Sequence, residues 1–66
     1  MTVMHKAQKL FDQSGKTLEQ VGLAMGYEEG TARRAAWQFL NKTADPRLSM
    51  LFRFAEALGI EVKELL

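Results

Sequence analysis

Two arginines and the single tryptophan of the chain lie close together in residues 31–46, TARRAAWQFLNKTADP. At helical spacing the apolar side chains of this stretch form one stripe, made of Ala32, Ala35, Ala36, Phe39 and Leu40. The remaining surface carries Arg33, Arg34, Trp37, Gln38 and Asn41. A guanidinium group is a planar fork of donors that matches phosphate oxygens or the O6 and N7 atoms of guanine. The spacing therefore indicates a surface that binds an anionic partner.

Catalytic and metal-binding side chains are sparse. The chain has no cysteine and a single histidine, His5, which excludes disulfides and cysteine-based metal sites. The acidic residues are scattered, and neither a Ser-His-Asp set nor the glycine patterns of P-loop and dinucleotide-binding proteins are found. We therefore expect a protein that is not an enzyme and has no catalytic residues, cofactor, metal site or small-molecule substrate.

The charge is unevenly distributed along a chain whose net charge is +1. Residues 31–53 carry five cations against Asp45 alone, a balance of +4, whereas the rest carries four cations against seven acids, a balance of −3. A basic segment on an otherwise acidic body is typical of a surface that faces a polyanion. Charge alone is equally compatible with ordinary solvated surface.

The length suffices for one small domain, residues 1–66. A core of this size contributes on the order of 3–5 kcal/mol, so stability must come from packed helices, from a partner or from both. No apolar run approaches the ~20 residues that cross a bilayer. The N-terminal MTVMHKAQKL also lacks the continuous apolar stretch of a signal peptide. We expect a cytoplasmic protein without membrane contact.

The hydrophobic periodicity is helical. A first helix ends at Gly15, which can adopt the left-handed C-cap conformation. Its apolar face consists of Val3, Ala7, Leu10 and Phe11. A second helix begins at Thr17, which forms a capping box with Gln20, and ends at Gly26. Its buried stripe consists of Leu18, Val21, Gly22 and Met25.

The third predicted helix runs from about Thr31 to Leu40 or Asn41. After a polar loop, a fourth helix begins with Asp45 as N-cap and Pro46 as its first residue, and ends before Gly59. Its predicted inward face consists of Leu48, Leu51, Phe52, Ala55 and Leu58. A last short helix is predicted in IEVKELL. The sequence thus predicts an all-α fold, a compact bundle of five short helices.

The second and third helices, joined by a glycine-containing turn, form a candidate helix-turn-helix. Gly22 lies in the middle of the second helix, where a small residue lets the third helix approach closely. The third helix has a small apolar inner face and a cationic outer one. A helix that enters the major groove of DNA must bury one side and present the other in this way.

The chain resembles the Cro/cI-type, or XRE-type, helix-turn-helix domains of phage repressors and many bacterial regulators. The resemblance rests on TLEQVGLAMGY and on LNKTADPRLSMLFRFAEALGIEVKELL, and it extends over nearly the whole chain. It implies a lambda-repressor-like fold, binding of double-stranded DNA and association as a two-fold homodimer.

The chain departs from the family pattern between MGY and NKTADP, where it is about four residues longer than the usual short-turn arrangement. Either the turn is extended, as YEEGT, or the third helix is one turn longer; we favour the extended turn, because QFLNKTADP then aligns without a gap. Gly22 replaces the more usual alanine, at about 1 kcal/mol in helix propensity. Glu28 and Glu29 would repel phosphates unless one accepts a hydrogen bond from a cytosine amino group.

The residues predicted to read DNA bases are Arg33, Arg34, Trp37 and Gln38. As an alternative to base contacts, the two arginines are solvated or form salt bridges to Glu28 or Glu29. The alternative for Trp37 is a side chain that lies partly in the core. The residues predicted to contact phosphates are Thr17, Lys42, Thr43 and Arg47. Thr17 also has its capping role.

The predicted dimer interface consists of Met50 and Phe54, which fall off the main apolar stripe of the fourth helix, and of Leu65 and Leu66 at the end of the chain. In the alternative, these side chains fold back onto the first helix. The leading functional hypothesis is a nucleoid-associated bacterial or phage transcriptional regulator, a repressor. The competing hypothesis is a protein-interaction module, or an antitoxin-like partner, with the same fold and weak or no DNA binding.

Overall fold

The computed structural model describes residues 2–66. Over this range the chain forms four α-helices and no strand: α1 (Val3–Ser14), α2 (Leu18–Ala24), α3 (Ala32–Lys42) and α4 (Leu48–Leu58). The all-α prediction is confirmed. The fifth helix predicted in IEVKELL is only a 3₁₀ turn, Val62–Glu64, because the chain is still extended at Glu61, with φ −87° and ψ 144°.

The local signals at the ends of α1 and α2 act as predicted. Gly15 closes α1 in the left-handed conformation with φ 73°. At α2 the Gln20 amide donates to Thr17 Oγ1 at 3.1 Å, and the Thr17 amide donates to Gln20 Oε1 at 2.9 Å. This reciprocal pair satisfies two amides that helix geometry leaves free. The capping box is therefore confirmed.

The start of α4 differs from the prediction. The helix begins at Leu48 with Arg47 as N-cap, so Asp45 and Pro46 lie in the preceding loop rather than at the cap and first helical positions. The Arg47 carbonyl accepts from the amides of Met50 at 3.0 Å and Leu51 at 3.1 Å, which closes the first helical turn there. An Asp-Pro pair is favourable in a loop as well as at a helix start. The conformational preference of these two residues therefore does not decide whether they lie in the loop or in the first turn of α4.

The core is formed by side chains from all four helices, and its largest fully buried members are Phe54, Leu65 and Val21. The rings of Phe39 and Phe54 pack with their centroids 5.3 Å apart and tilted by 38°. This distance lies in the range that aromatic pairs prefer. This contact joins α4 to the buried side of α3, whereas α4 packs more extensively against α2.

The inward face of α4 agrees with the prediction at Leu51, Ala55 and Leu58, which are buried, but not at Leu48 and Phe52. Phe52, predicted to be buried, is 53% exposed, and Leu48 is 57% exposed, whereas Phe54 is completely buried. The polar side chains Ser49, Arg53 and Glu56 recur at helical spacing and mark one solvent-facing side of α4. Phe52 borders this polar side, whereas Phe54 lies towards the opposite one, so the exposure of Phe52 follows from the position of the polar stripe.

Helices α2 and α3 touch through their backbones. A Cβ built on Gly22 would lie 2.1 Å from the carbonyl oxygen of Ala32, well inside van der Waals contact. The close approach predicted at Gly22 is therefore confirmed.

Residues 25–31 connect the two helices, with Gly26 at φ 104° and the Ala32 amide bonded to the Glu28 carbonyl at 2.8 Å. The connection between α2 and α3 is therefore long, as expected for an extended turn, and α3 itself has 11 residues. None of the helices between residues 2 and 66 is long and apolar enough to cross a membrane.

Candidate nucleic-acid interface

The exposed face of α3 carries the side chains that the sequence singles out. Ala32, Ala36, Phe39 and Leu40 are buried. Arg33, Arg34, Trp37 and Gln38 are exposed on the opposite side, and Trp37 retains 45% of its surface. The amphipathic division of the helix is therefore confirmed. Trp37 belongs neither to the buried core nor to the partly buried residues packed against it, so the alternative of a tryptophan that lies partly in the core is not supported.

The two arginines are not neutralised by neighbouring carboxylates. Among residues 2–66 the one ion pair within 4.0 Å joins Lys63 to Glu61, at 3.1 Å on the far end of the chain. The salt bridges considered between the arginines and Glu28 or Glu29 do not form. Both guanidinium groups thus keep their donors for a partner.

One flank of α3 borders α2 and forms what we call the α2–α3 groove. It consists of two adjoining recesses that share Leu18 and Arg33. The first recess adds side chains from the start of α2, namely Thr17, Glu19, Gln20 and Leu23. The second, about 390 Å³ in volume, is completed by Gly30, Arg34 and Trp37. The structure thus brings one predicted phosphate contact, Thr17, to the same groove as three predicted base contacts.

The opposite flank of α3 borders the α3–α4 loop and forms a second depression, which we call the loop groove. Its volume is about 410 Å³, and its polar lining comes from Tyr27, Gln38, Lys42 and Thr43. The Thr43 hydroxyl donates to the Gln38 carbonyl at 3.4 Å. Two predicted phosphate contacts, Lys42 and Thr43, therefore lie beside the fourth predicted base contact. The exposed face of α3 is a ridge between two grooves.

A cation–π contact and three hydrogen bonds position the end of this ridge. The Lys42 ammonium lies over the Trp37 ring, 5.7 Å from its centroid, a contact worth about 0.5–1 kcal/mol at an exposed site. Asn41 donates to the Trp37 carbonyl at 2.9 Å and accepts from Gln8 Nε2 of α1 at 2.9 Å. The same Gln8 nitrogen donates to the Leu40 carbonyl at 3.2 Å. These bonds fasten α3 to α1, a role that the sequence analysis missed because the partners are far apart in the chain.

Other predicted site residues are not brought together. Arg47 is exposed but lines neither groove. In the predicted dimer set, Phe54 and Leu65 are fully buried and Met50 is half-buried, so only Leu66 is well exposed, at 64%. The four do not form an exposed apolar patch, because α4 and the 3₁₀ turn direct Phe54 and Leu65 into the core. That interface assignment is corrected.

Part of the site has no signal in the sequence. Leu18 and Leu23 form apolar walls of the α2–α3 groove, and Leu23 is 39% exposed. Leu18 belongs to the predicted buried stripe of α2, so periodicity gives no signal for a surface role. Only the packing of α2 against α3 reveals it.

Comparison of the chain with protein-family models, with curated proteins and with solved structures gives no match.

Proposed function

We propose that this protein binds double-stranded DNA in a sequence-specific manner and regulates transcription, as a repressor that inserts α3 into the major groove. The observation that carries the proposal is the exposed α3 ridge, on which Arg33 and Arg34 have no carboxylate partner within 4.0 Å. The resemblance of the sequence to XRE-type helix-turn-helix domains supports it. In this proposal α2 and α3 are the two helices of the motif, joined by residues 25–31.

The proposed contacts follow from the two grooves. The major groove of B-DNA admits one α-helix, and its guanine edge presents two acceptors side by side. Arg33 and Arg34 form bidentate hydrogen bonds there, and Gln38 reaches an adenine from the next turn. Thr17 on one side of the ridge, and Lys42 and Thr43 on the other, hold the flanking phosphates, which positions α3 without specifying sequence. Arg47 adds a cation from the loop before α4.

The proposal includes a homodimer. Two copies related by a two-fold axis read half-sites about one helical turn apart, so the preferred operator is palindromic. With Phe54 and Leu65 buried, the apolar side chains open to a second copy are Leu48, Phe52 and Leu66. Binding-site selection on randomised duplexes tests both parts together, since a palindromic consensus supports the dimer and a single half-site contradicts it.

Removing both arginines is expected to remove the larger part of the base specificity. Arg33→Ala combined with Arg34→Ala should weaken binding to the selected duplex about a hundredfold or more, because each bidentate contact contributes about 1–3 kcal/mol of base discrimination. A matched control, Lys9→Ala combined with Arg53→Ala, removes the same charge outside both grooves and should weaken binding far less. Fluorescence anisotropy with selected and scrambled duplexes, over a series of salt concentrations, measures both effects. Equal losses of affinity in the two double variants would mean that binding depends on net charge and not on the position of the two arginines.

The competing function is a protein-interaction module with weak or no DNA binding. Its support is the set of exposed acids around the ridge, namely Glu19, Glu28 and Glu29, together with the exposed Leu48 and Phe52 on α4. Titration of folded protein with random duplex DNA at low salt separates the two functions. Absence of binding there favours the interaction module, and the double arginine variant would then retain its activity.

A further inference from the structure

The second recess of the α2–α3 groove combines an apolar surface with two unpaired cations. Leu18 and Trp37 supply the apolar surface, and Arg33 and Arg34 supply the cations. Gly30 leaves room between them, since a Cβ built there meets no atom within 4 Å. A ligand that fits must therefore present an apolar group directly beside hydrogen-bond acceptors.

We infer that this recess reads a thymine next to a guanine, and this inference rests on the proposed DNA binding. Thymine is the one base with an apolar group, the C5 methyl, on its major-groove edge, and guanine is the one base with two adjacent acceptors there. The methyl group packs against Trp37 and Leu18, and an arginine holds the guanine. Arg33 and Trp37 are four positions apart on α3 and thus lie on the same side of the helix.

The position of Lys42 favours this mode over stacking of an unpaired base. The ammonium lies over the Trp37 ring at 5.7 Å, so a base that stacked on that face would have to displace a cation. A methyl group that enters from the side of Leu18 leaves this contact intact. Trp37 is therefore a specificity-determining residue for duplex DNA.

Replacement of single thymines by deoxyuridine tests the inference, because the change deletes only the C5 methyl group. The probe is the tightest duplex recovered by selection from randomised double-stranded DNA. Deoxyuridine at a thymine next to a guanine in one half-site should weaken binding about fourfold, the equivalent of about 0.8 kcal/mol for one buried methyl group. Uridine at other thymines should leave the affinity unchanged.

Trp37→Ala should weaken binding of the thymine duplex and remove its fourfold advantage over the uridine duplex. His5→Ala is the control, since His5 is an exposed ring-bearing residue outside both grooves and outside the proposed dimer surface, and it should keep that advantage. Circular dichroism verifies that both variants fold. The deoxyuridine series with the unaltered protein tests the inference independently of either variant.

The outcomes separate the two proposals. If no duplex is bound, both the proposed function and this inference are wrong. If a duplex is bound and depends on the arginines but tolerates uridine at every position, only the thymine contact is wrong. Tighter binding of the single strand than of the duplex would also overturn the inference and indicate base stacking on Trp37.

Discussion

Truncation of Phe54 to alanine is expected to cost about 3–5 kcal/mol of unfolding free energy, whereas truncation of Phe52 should cost about 1 kcal/mol or less. Phe54 is completely buried and packs on the Phe39 ring at a centroid distance of 5.3 Å, while Phe52 is 53% exposed. Removal of a buried ring loses its transfer free energy and leaves a cavity. Since a core of this size contributes about 3–5 kcal/mol, Phe54→Ala should be largely unfolded at 25 °C.

Urea unfolding followed by circular dichroism measures both variants. The pair is well matched because the same side chain is truncated twice on one helix, two positions apart. A stable Phe54→Ala together with an unfolded Phe52→Ala would mean that Phe52 rather than Phe54 faces the core. Similar losses of unfolding free energy in the two variants would mean that both sides of α4 are buried, as in an obligate dimer.

Replacement of Gly22 by alanine is expected to destabilise the domain by about 2 kcal/mol or more. The new Cβ would lie 2.1 Å from the Ala32 carbonyl oxygen, which is backbone and cannot rotate away. Overpacking of this kind costs about 1–3 kcal/mol or more. It outweighs the gain of about 1 kcal/mol that alanine brings to a helix interior. The thermal midpoint should fall by roughly 10 °C, given 4–8 °C per kcal/mol for a domain of this size.

Gly30→Ala is the control for this experiment. A Cβ at Gly30 meets no atom within 4 Å, and the residue has no positive φ. Alanine there should leave the midpoint unchanged or raise it slightly, because it restricts the unfolded chain. An unchanged midpoint in Gly22→Ala would show that α2 and α3 are not held in backbone contact.

What the sequence predicts well is local. The capping box of Thr17 and Gln20, and the left-handed glycines that end α1 and α4, depend on neighbouring residues, and all are found. The exposure of Arg33 and Arg34 is predicted for the same reason, since α3 has a single apolar stripe.

What the sequence does not predict depends on contacts between distant segments. The ring contact between Phe39 of α3 and Phe54 of α4 joins two separate helices and has no local signal. The hydrogen bond between Gln8 and Asn41 spans 33 positions and has no local signal. The groove wall formed by Leu18 likewise exists only once α2 and α3 have packed together.

Because of its location, Trp37 reports binding to the α3 ridge through its own fluorescence. It is the single tryptophan, it is 45% exposed, and it lies outside the aromatic pair of the core. Its emission therefore monitors events on the α3 ridge and says little about the interior. A partner that covers this ridge, whether nucleic acid or protein, changes the emission without any attached dye, whereas a partner that attaches to α4 leaves it unaltered.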